Sequence, residues 1–213
     1  MNNKYSKYIL AGLVAAAFVA GAAAYPFLPD KIASHWNAAG EADGYMGKFW
    51  GIFILPFVML GMLALYAVIP KIDPLKNNIE AFRRYYDRFW VVMFVFFLYL
   101  FALTLGWNFG YRFNFTVAII PAIAGLFYFI GSILQRSKRN WFFGIRTPWT
   151  LSSDTVWEKT HKLGGLLFKI AAIATLAGLF LPDKLLVFAI IIPAVTVSAV
   201  AIVYSYVIFK KGL

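Results

Sequence analysis

The chain has 213 residues, of which 62% are hydrophobic, 19% aromatic and only 14% charged. A soluble domain carries about 45–50% apolar and about 25% charged residues, so both departures point to a bilayer, and the aromatic content excludes a disordered chain. The absence of cysteine excludes a disulfide scaffold, thiolate zinc sites and a cysteine nucleophile, and the net charge of +11 must be read by where it sits before nucleic acid is invoked.

Six stretches approach the roughly 20 apolar residues that a membrane-spanning helix needs, at 8–28, 49–69, 89–109, 115–134, 165–181 and 185–209. Lys169 is the one charge inside them, close enough to the start of its span to snorkel to the headgroups. A backbone in lipid must satisfy its own hydrogen bonds, and the alternating pattern of a membrane barrel is missing, so the spans are read as helices. The expected fold is an all-α integral membrane protein, a six-helix bundle forming a single polytopic domain over 1–213. Within it, residues 1–70 form a helical hairpin with an outer loop. Residues 71–213 form a four-helix part with a cytoplasmic loop at 135–164.

The first span starts from basic residues and contains Gly21-Ala22-Ala23-Ala24, which would suit cleavage of a signal peptide; its long apolar run favours a retained helix. The following loop, 28–48, is rich in turn formers from Asn37 to Gly44, with Gly40 and Asp43-Gly44 suited to positive φ. Trp36 and Tyr45 fit an interfacial belt. His35, Asp30, Glu41 and Asp43 lack the regular alternation of a calcium loop, so a structured cap is expected and no metal.

The second connection opens with Asp73-Pro74, a good N-cap and first helical residue. Leu75, Ile79, Phe82, Tyr86 and Phe89 then mark one helical face, flanked by Arg83, Arg84 and Arg88. That pattern predicts an amphipathic helix lying in the inner membrane interface. The third connection, with Gly110 and Arg112, is a tight hairpin. The fourth is the longest. It carries four tryptophan or phenylalanine residues from Trp141 to Trp149, then Ser152 or Ser153 as a cap for a helix holding Trp157 and His161 at i, i+4. Gly164-Gly165 either ends that helix or lets it pack closely against a neighbour. A folded re-entry, a lipid-binding patch and a protein-docking site all remain open for this loop. The second, fourth and sixth spans each place a proline, Pro56, Pro121 and Pro193, after a pair of apolar residues. Kinks at these prolines would open a crevice facing outward.

Fifteen Lys and Arg fall at the two ends of the chain or in the second and fourth connections, against Lys31, Lys48, Arg112 and Lys184 on the opposite side. The excess predicts both termini in the cytoplasm. Anionic lipid on the inner leaflet is then the counterpart of the basic charge, with no direct nucleic acid.

The run Arg139-Asn140, Gly144-Ile145-Arg146-Thr147-Pro148-Trp149-Thr150-Leu151-Ser152 and Trp157, Lys159-Thr160-His161 through Gly164-Gly165 resembles the SdpI family of bacterial and archaeal membrane proteins. The first loop, with Leu28-Pro29-Asp30, His35-Trp36-Asn37, Gly40 and Asp43-Gly44, is similar to the amino-terminal domain often fused to that family. Gly131-Ser132 departs from the Gly-Asn of the pattern. The resemblance implies immunity against a secreted peptide toxin outside, and capture of a small DNA-binding repressor at the inner face. It implies a family signature at these positions without chemical roles. Candidate outer contacts are His35, Trp36, Asn37 and Asp43; candidate inner contacts are Arg139, Arg146, Trp149, Trp157 and His161. Catalytic residues, cofactors and metal ligands are expected to be absent, since His35 and His161 are the only histidines and fall on opposite sides. The alternative reading is a transporter or channel for a small or lipidic substrate, which the lack of ionisable residues near the midplane weakens.

Overall fold

The computed structural model describes residues 3–212; residues 1, 2 and 213, on which the expectation about the termini also bears, lie outside it. Eight helices and one small sheet follow in the order α1 (Asn3–Ala24), β1 (Lys31–Trp36), β2 (Ala42–Gly47), α2 (Lys48–Ile72), α3 (Lys76–Ala81), α4 (Arg83–Asn108), α5 (Phe115–Leu134), α6 (Pro148–Ser152), α7 (Asp154–Ala177) and α8 (Phe188–Lys210). Among the described residues six helical segments are long and apolar enough to cross a membrane, with mean hydropathies between 1.9 and 2.8. The protein is a multi-pass membrane protein, and its bundle is α-helical as the sequence predicts. The fifth segment is longer than expected. It runs unbroken from Asp154 to Phe180, about 40 Å at 1.5 Å per residue, so its first turns stand clear of a hydrocarbon layer about 30 Å thick. Gly164-Gly165 therefore does not end the helix.

The helices pack as two triplets. In one, α4 lies against α1 and α2; in the other, α7 lies between α5 and α8. The triplets meet chiefly along α4 and α5, whereas α2 and α8 have no extensive contact. The α5–α7 contact is the most extensive in the molecule, and its closeness comes from two glycines. A Cβ on Gly131 would sit 2.5 Å from the Gly165 carbonyl oxygen, and one on Gly165 would sit 2.6 Å from that of Gly131. Helices in lipid gain no hydrophobic free energy from each other, so small residues that let backbones approach are the natural seam.

The first loop is more ordered than a cap built of turns. Lys31–Trp36 and Ala42–Gly47 pair antiparallel, with irregular register between Ala33 and Trp36. The hairpin is fixed to the bundle by two features. Ile32, fully buried, occupies the space over Gly51, where an added Cβ would lie 2.4 Å from the isoleucine Cβ. Ala33, also fully buried, donates its N–H to Asn108 Oδ1 at 2.8 Å and accepts from Asn108 Nδ2 at 3.1 Å. The asparagine amide thus serves Ala33 as a further strand would. Asn108→Ala leaves a donor and an acceptor without partners, each costing about 1–3 kcal/mol if kept from water. We expect the Ala33 amide to exchange with deuterium at least about 30-fold faster, since 1.4 kcal/mol is a factor of ten. An unchanged rate would show that the hairpin does not depend on this bridge.

The second connection also departs from expectation. Ile79, Phe82 and Tyr86 are buried by protein, where a helix bedded in the lipid interface would leave that face open. Tyr86 packs on Tyr66 of α2 and on Trp90, and Phe82 is covered by the fourth connection. Phe143 packs on Phe82 and Phe89 with ring centroids 5.8 and 4.8 Å apart. Asp73 Oδ1 accepts from the Leu75 N–H, while Oδ2 accepts from the Trp141 N–H at 2.9 Å. Asn78 Nδ2 donates to the Arg139 carbonyl at 2.8 Å.

Candidate functional site

The two loops with sequence signatures lie at opposite ends of the bundle, and each reaches across from its own triplet to the other. At the hairpin end, Asn37 Oδ1 accepts from the Ala39 and Glu41 N–H groups and shapes the turn between β1 and β2. Gly40 sits in that turn at φ +78°, where a Cβ would collide with the Asn114 side chain. Asn114 donates from Nδ2 to the Ala39 carbonyl and caps α5 by accepting from the Val117 N–H. The Phe115 N–H donates to the Gly40 carbonyl at 3.2 Å. Trp36 stacks on Phe115 with centroids 3.9 Å apart and meets Trp107 edge-on. The turn of the hairpin is thereby strapped to the start of α5.

Under this strap lies a cavity of about 520 Å³ between α2, α4, α5 and α8. Its roof includes His35, Trp36 and Asn37, and its walls include Thr104 and Thr116. Leu55, Ile119 and Ile190, each within three residues of Pro56, Pro121 or Pro193, also line it. Each of the three proline-bearing helices thus contributes a wall residue close to its proline. His35 and Asp43 lie on the exposed side of the hairpin, and His35 Nδ1 hydrogen-bonds Asp43 Oδ1 across the strands. Gly44 lets the strands come this close, since a Cβ there would lie 2.7 Å from that of His35. Among the described residues no group of three or more His, Cys, Asp or Glu side chains could hold a metal ion.

At the other end the fourth connection is a folded unit built around its own signature residues. Asn140, fully buried, uses the whole of its amide: Oδ1 accepts from the Phe142 and Phe143 N–H groups, and Nδ2 donates to the Lys138 and Phe143 carbonyls. Gly144 follows at φ +116°, a conformation that strains any residue with a side chain. A Cβ there would also meet His161 Nε2 at 2.4 Å. His161 is buried, its ring stacked on Trp157 at 3.9 Å. Its Nδ1 bonds the Trp157 carbonyl at 2.8 Å and its Nε2 accepts from the Ile145 N–H at 2.9 Å. One nitrogen donates and the other accepts, so the geometry requires the neutral ring. Trp157 in turn donates from Nε1 to the Ser137 carbonyl.

Thr147 and Thr150 form a capping box around Pro148 at the start of α6. Thr147 Oγ1 also lies 3.0 Å from Ser205 Oγ on α8, both groups buried. Arg139 bonds Asp154 and the Leu151 carbonyl. Trp157 and His161, two of the candidate inner contacts, are therefore interior. Arg146 and Pro148 are exposed, and Trp149 and Lys159 are partly so; Trp149 rests on Tyr206 with centroids 5.0 Å apart.

Sequence reasoning missed Asn108, Asn114 and the second carboxylate oxygen of Asp73, which tie the loops to the bundle. The available signal was weak: single amide and carboxylate residues at helix ends.

This is a six-span membrane protein whose two signature loops strap its halves together. Residues 136–206 match the SdpI/YfhL protein family, and residues 12–60 match a domain of unknown function designated DUF1648. The chain carries both segments that the sequence resemblance identified. It is 24% identical over 200 residues to the immunity protein SdpI of Bacillus subtilis (strain 168), covering 93% of each chain. No solved structure matches.

Proposed function

We propose that this chain is a non-enzymatic immunity and signalling protein of the cell membrane, with both termini in the cytoplasm. It protects the cell from a secreted peptide toxin sensed at the hairpin end. The observation that carries this reading is the similarity to an immunity protein along 93% of both chains, which takes in both loops. The charge asymmetry supports the orientation, with fifteen cations on the side of the second and fourth connections.

The toxin contacts are the exposed His35–Asp43 pair together with Trp36 and Asn37 at the roof of the cavity. At the inner end a soluble DNA-binding repressor docks on the basic and aromatic surface of exposed Arg146 and partly exposed Trp149 and Lys159. Arg139, Asn140, Gly144, Thr147, Pro148, Thr150, Trp157 and His161 hold that surface in shape. A peptide at the roof can influence a partner at the far end only if it favours one arrangement of the two halves over another. The straps supply the connection, because each loop belongs to one triplet and is bonded to the other. We keep the division into a hairpin part, 1–70, and a four-helix part, 71–213, as a description of sequence units.

The test is survival of Bacillus subtilis cells lacking their own immunity protein, challenged with that organism's toxin-containing culture supernatant. We expect this chain to raise survival at least ten-fold, and Trp36→Ala to remove the protection at equal membrane abundance. In the same cells Glu41→Cys, the sole thiol in the chain, should react with an impermeant maleimide. Undiminished killing with the wild-type chain correctly inserted would overturn the immunity reading.

A further inference from the structure

A second cavity, of about 580 Å³, lies in the seam between the triplets at the fourth-connection end. Its size falls in the range of about 300–1,000 Å³ typical of small-molecule sites. We propose that it is a lipid site, which takes an acyl chain of an anionic phospholipid through the opening between α2 and α8 and binds the phosphate at Arg146.

The lining is aromatic and aliphatic, with Phe89 and Trp90 of α4 facing residues of α5 and α8. The exposed members of the lining show where the cavity opens. They are Leu65 of α2, Ser198 and Ile202 of α8, and Phe142 and Arg146 of the fourth connection. Leu65, Ser198 and Ile202 lie inside spanning segments, so between α2 and α8 the opening gives onto hydrocarbon, and Phe142 and Arg146 mark its end at the fourth connection. Water in such a space would find few polar partners. An empty space would forfeit the dispersion contacts of its walls. A chain from the adjoining bilayer satisfies both conditions, and it needs no partner beyond the membrane itself.

Arg146 gives the site a charge. It is exposed at the rim, and no acidic residue lines the cavity among the described residues. One guanidinium nitrogen, Nη1, donates to the Trp141 carbonyl at 2.7 Å, which holds the group in place and leaves its other N–H donors for a ligand. A planar fork of this kind suits two phosphate oxygens at once. Its depth is also that of a headgroup. The neighbouring Thr147 bonds Ser205, five residues before the end of α8 at Lys210, which sets Arg146 about 8 Å inside the helix end at 1.5 Å per residue.

The full-length protein in detergent, incubated with dioleoyl phosphatidylglycerol or dioleoyl phosphatidylcholine and examined by native mass spectrometry, tests this. We expect one phosphatidylglycerol retained at least ten-fold better than phosphatidylcholine. Arg146→Gln should erase that preference. Ser198→Trp, which sets a ring at the exposed doorway, should lower retention of both lipids, and an unchanged thermal midpoint would verify that each variant is folded. Equal retention of the two lipids by the wild type, or a preference that survives Arg146→Gln, would overturn the proposal. Displacement of phosphatidylglycerol by millimolar inorganic phosphate would also overturn it, because the site would then be one for free phosphate. None of these readouts depends on toxin, so the outcome is separate from that of the immunity reading.

Discussion

Gly144→Ala should unfold the fourth connection while leaving the six spans in place. Two costs coincide at this position. The backbone at φ +116° is one that an alanine adopts only under strain, at about 1–3 kcal/mol. The new methyl group would also stand 2.4 Å from His161 Nε2, the acceptor of the Ile145 N–H. Moving the imidazole to make room breaks that bond and disturbs its stack on Trp157, whose own N–H holds the Ser137 carbonyl. A buried donor left without its acceptor adds about 1–3 kcal/mol. The sum is about 2–6 kcal/mol, which for a chain of this length lowers the thermal midpoint by about 10 °C. Tryptophan fluorescence of the purified protein will register it. The double variant Gly144→Ala, His161→Ala separates the two costs. Removing the ring first leaves only backbone strain, so the combined loss should fall short of the sum of the single losses by about 1–3 kcal/mol. Strict additivity would mean that the glycine and the histidine do not share one constraint.

The second large effect is expected at the α5–α7 crossing. Gly165→Val should weaken the bundle more than any change of similar size on a lipid-facing surface. Its Cβ would lie 2.6 Å from both the Gly131 carbonyl oxygen and Gln135 Cγ. A carbonyl in a helix cannot swing aside as a side chain can, so the two helices must separate. Overpacking of a close interface costs about 1–3 kcal/mol per site, and here it disturbs the most extensive contact between helices. Gly125→Ala on the same α5 helix is the control. A Cβ there meets nothing within 4 Å, and replacing a helical glycine gains up to about 1 kcal/mol in propensity. Unfolding in a denaturing detergent should therefore come earlier for Gly165→Val and no earlier for Gly125→Ala. Equal behaviour of the two would count against a glycine seam.

These two positions also mark what was legible in the sequence. Gly164-Gly165 stood out as a pair that could end a helix or bring it close to a neighbour, and nothing local chooses between the two. The choice comes from Gly131, thirty-four residues earlier, whose own missing side chain makes the close approach possible. Trp157 and His161 were visible as neighbours on one helical face, and they do stack. Whether that face looked outward or inward depended on Gly144 and Ile145 folding back over it. The apolar face of the second connection is legible as a stripe of Ile79, Phe82 and Tyr86, and all three are buried. Its cover is Tyr66 of α2 and Phe143 of a loop sixty-one residues beyond Phe82, where the sequence predicts the interface of the bilayer.

Six spans, their helical nature and the uneven distribution of positive charge follow from the amino-acid order alone, because they depend on apolar length and on the need of every buried peptide group for a partner within reach. The pairing of the hairpin with α5, of Asp73 with Trp141 and of Asn108 with Ala33 joins residues 68 to 75 positions apart. Such pairings have no period to read. They exist only once the helices have packed and brought their ends level, and it is this packing that turns two loops into straps and leaves a cavity beneath each.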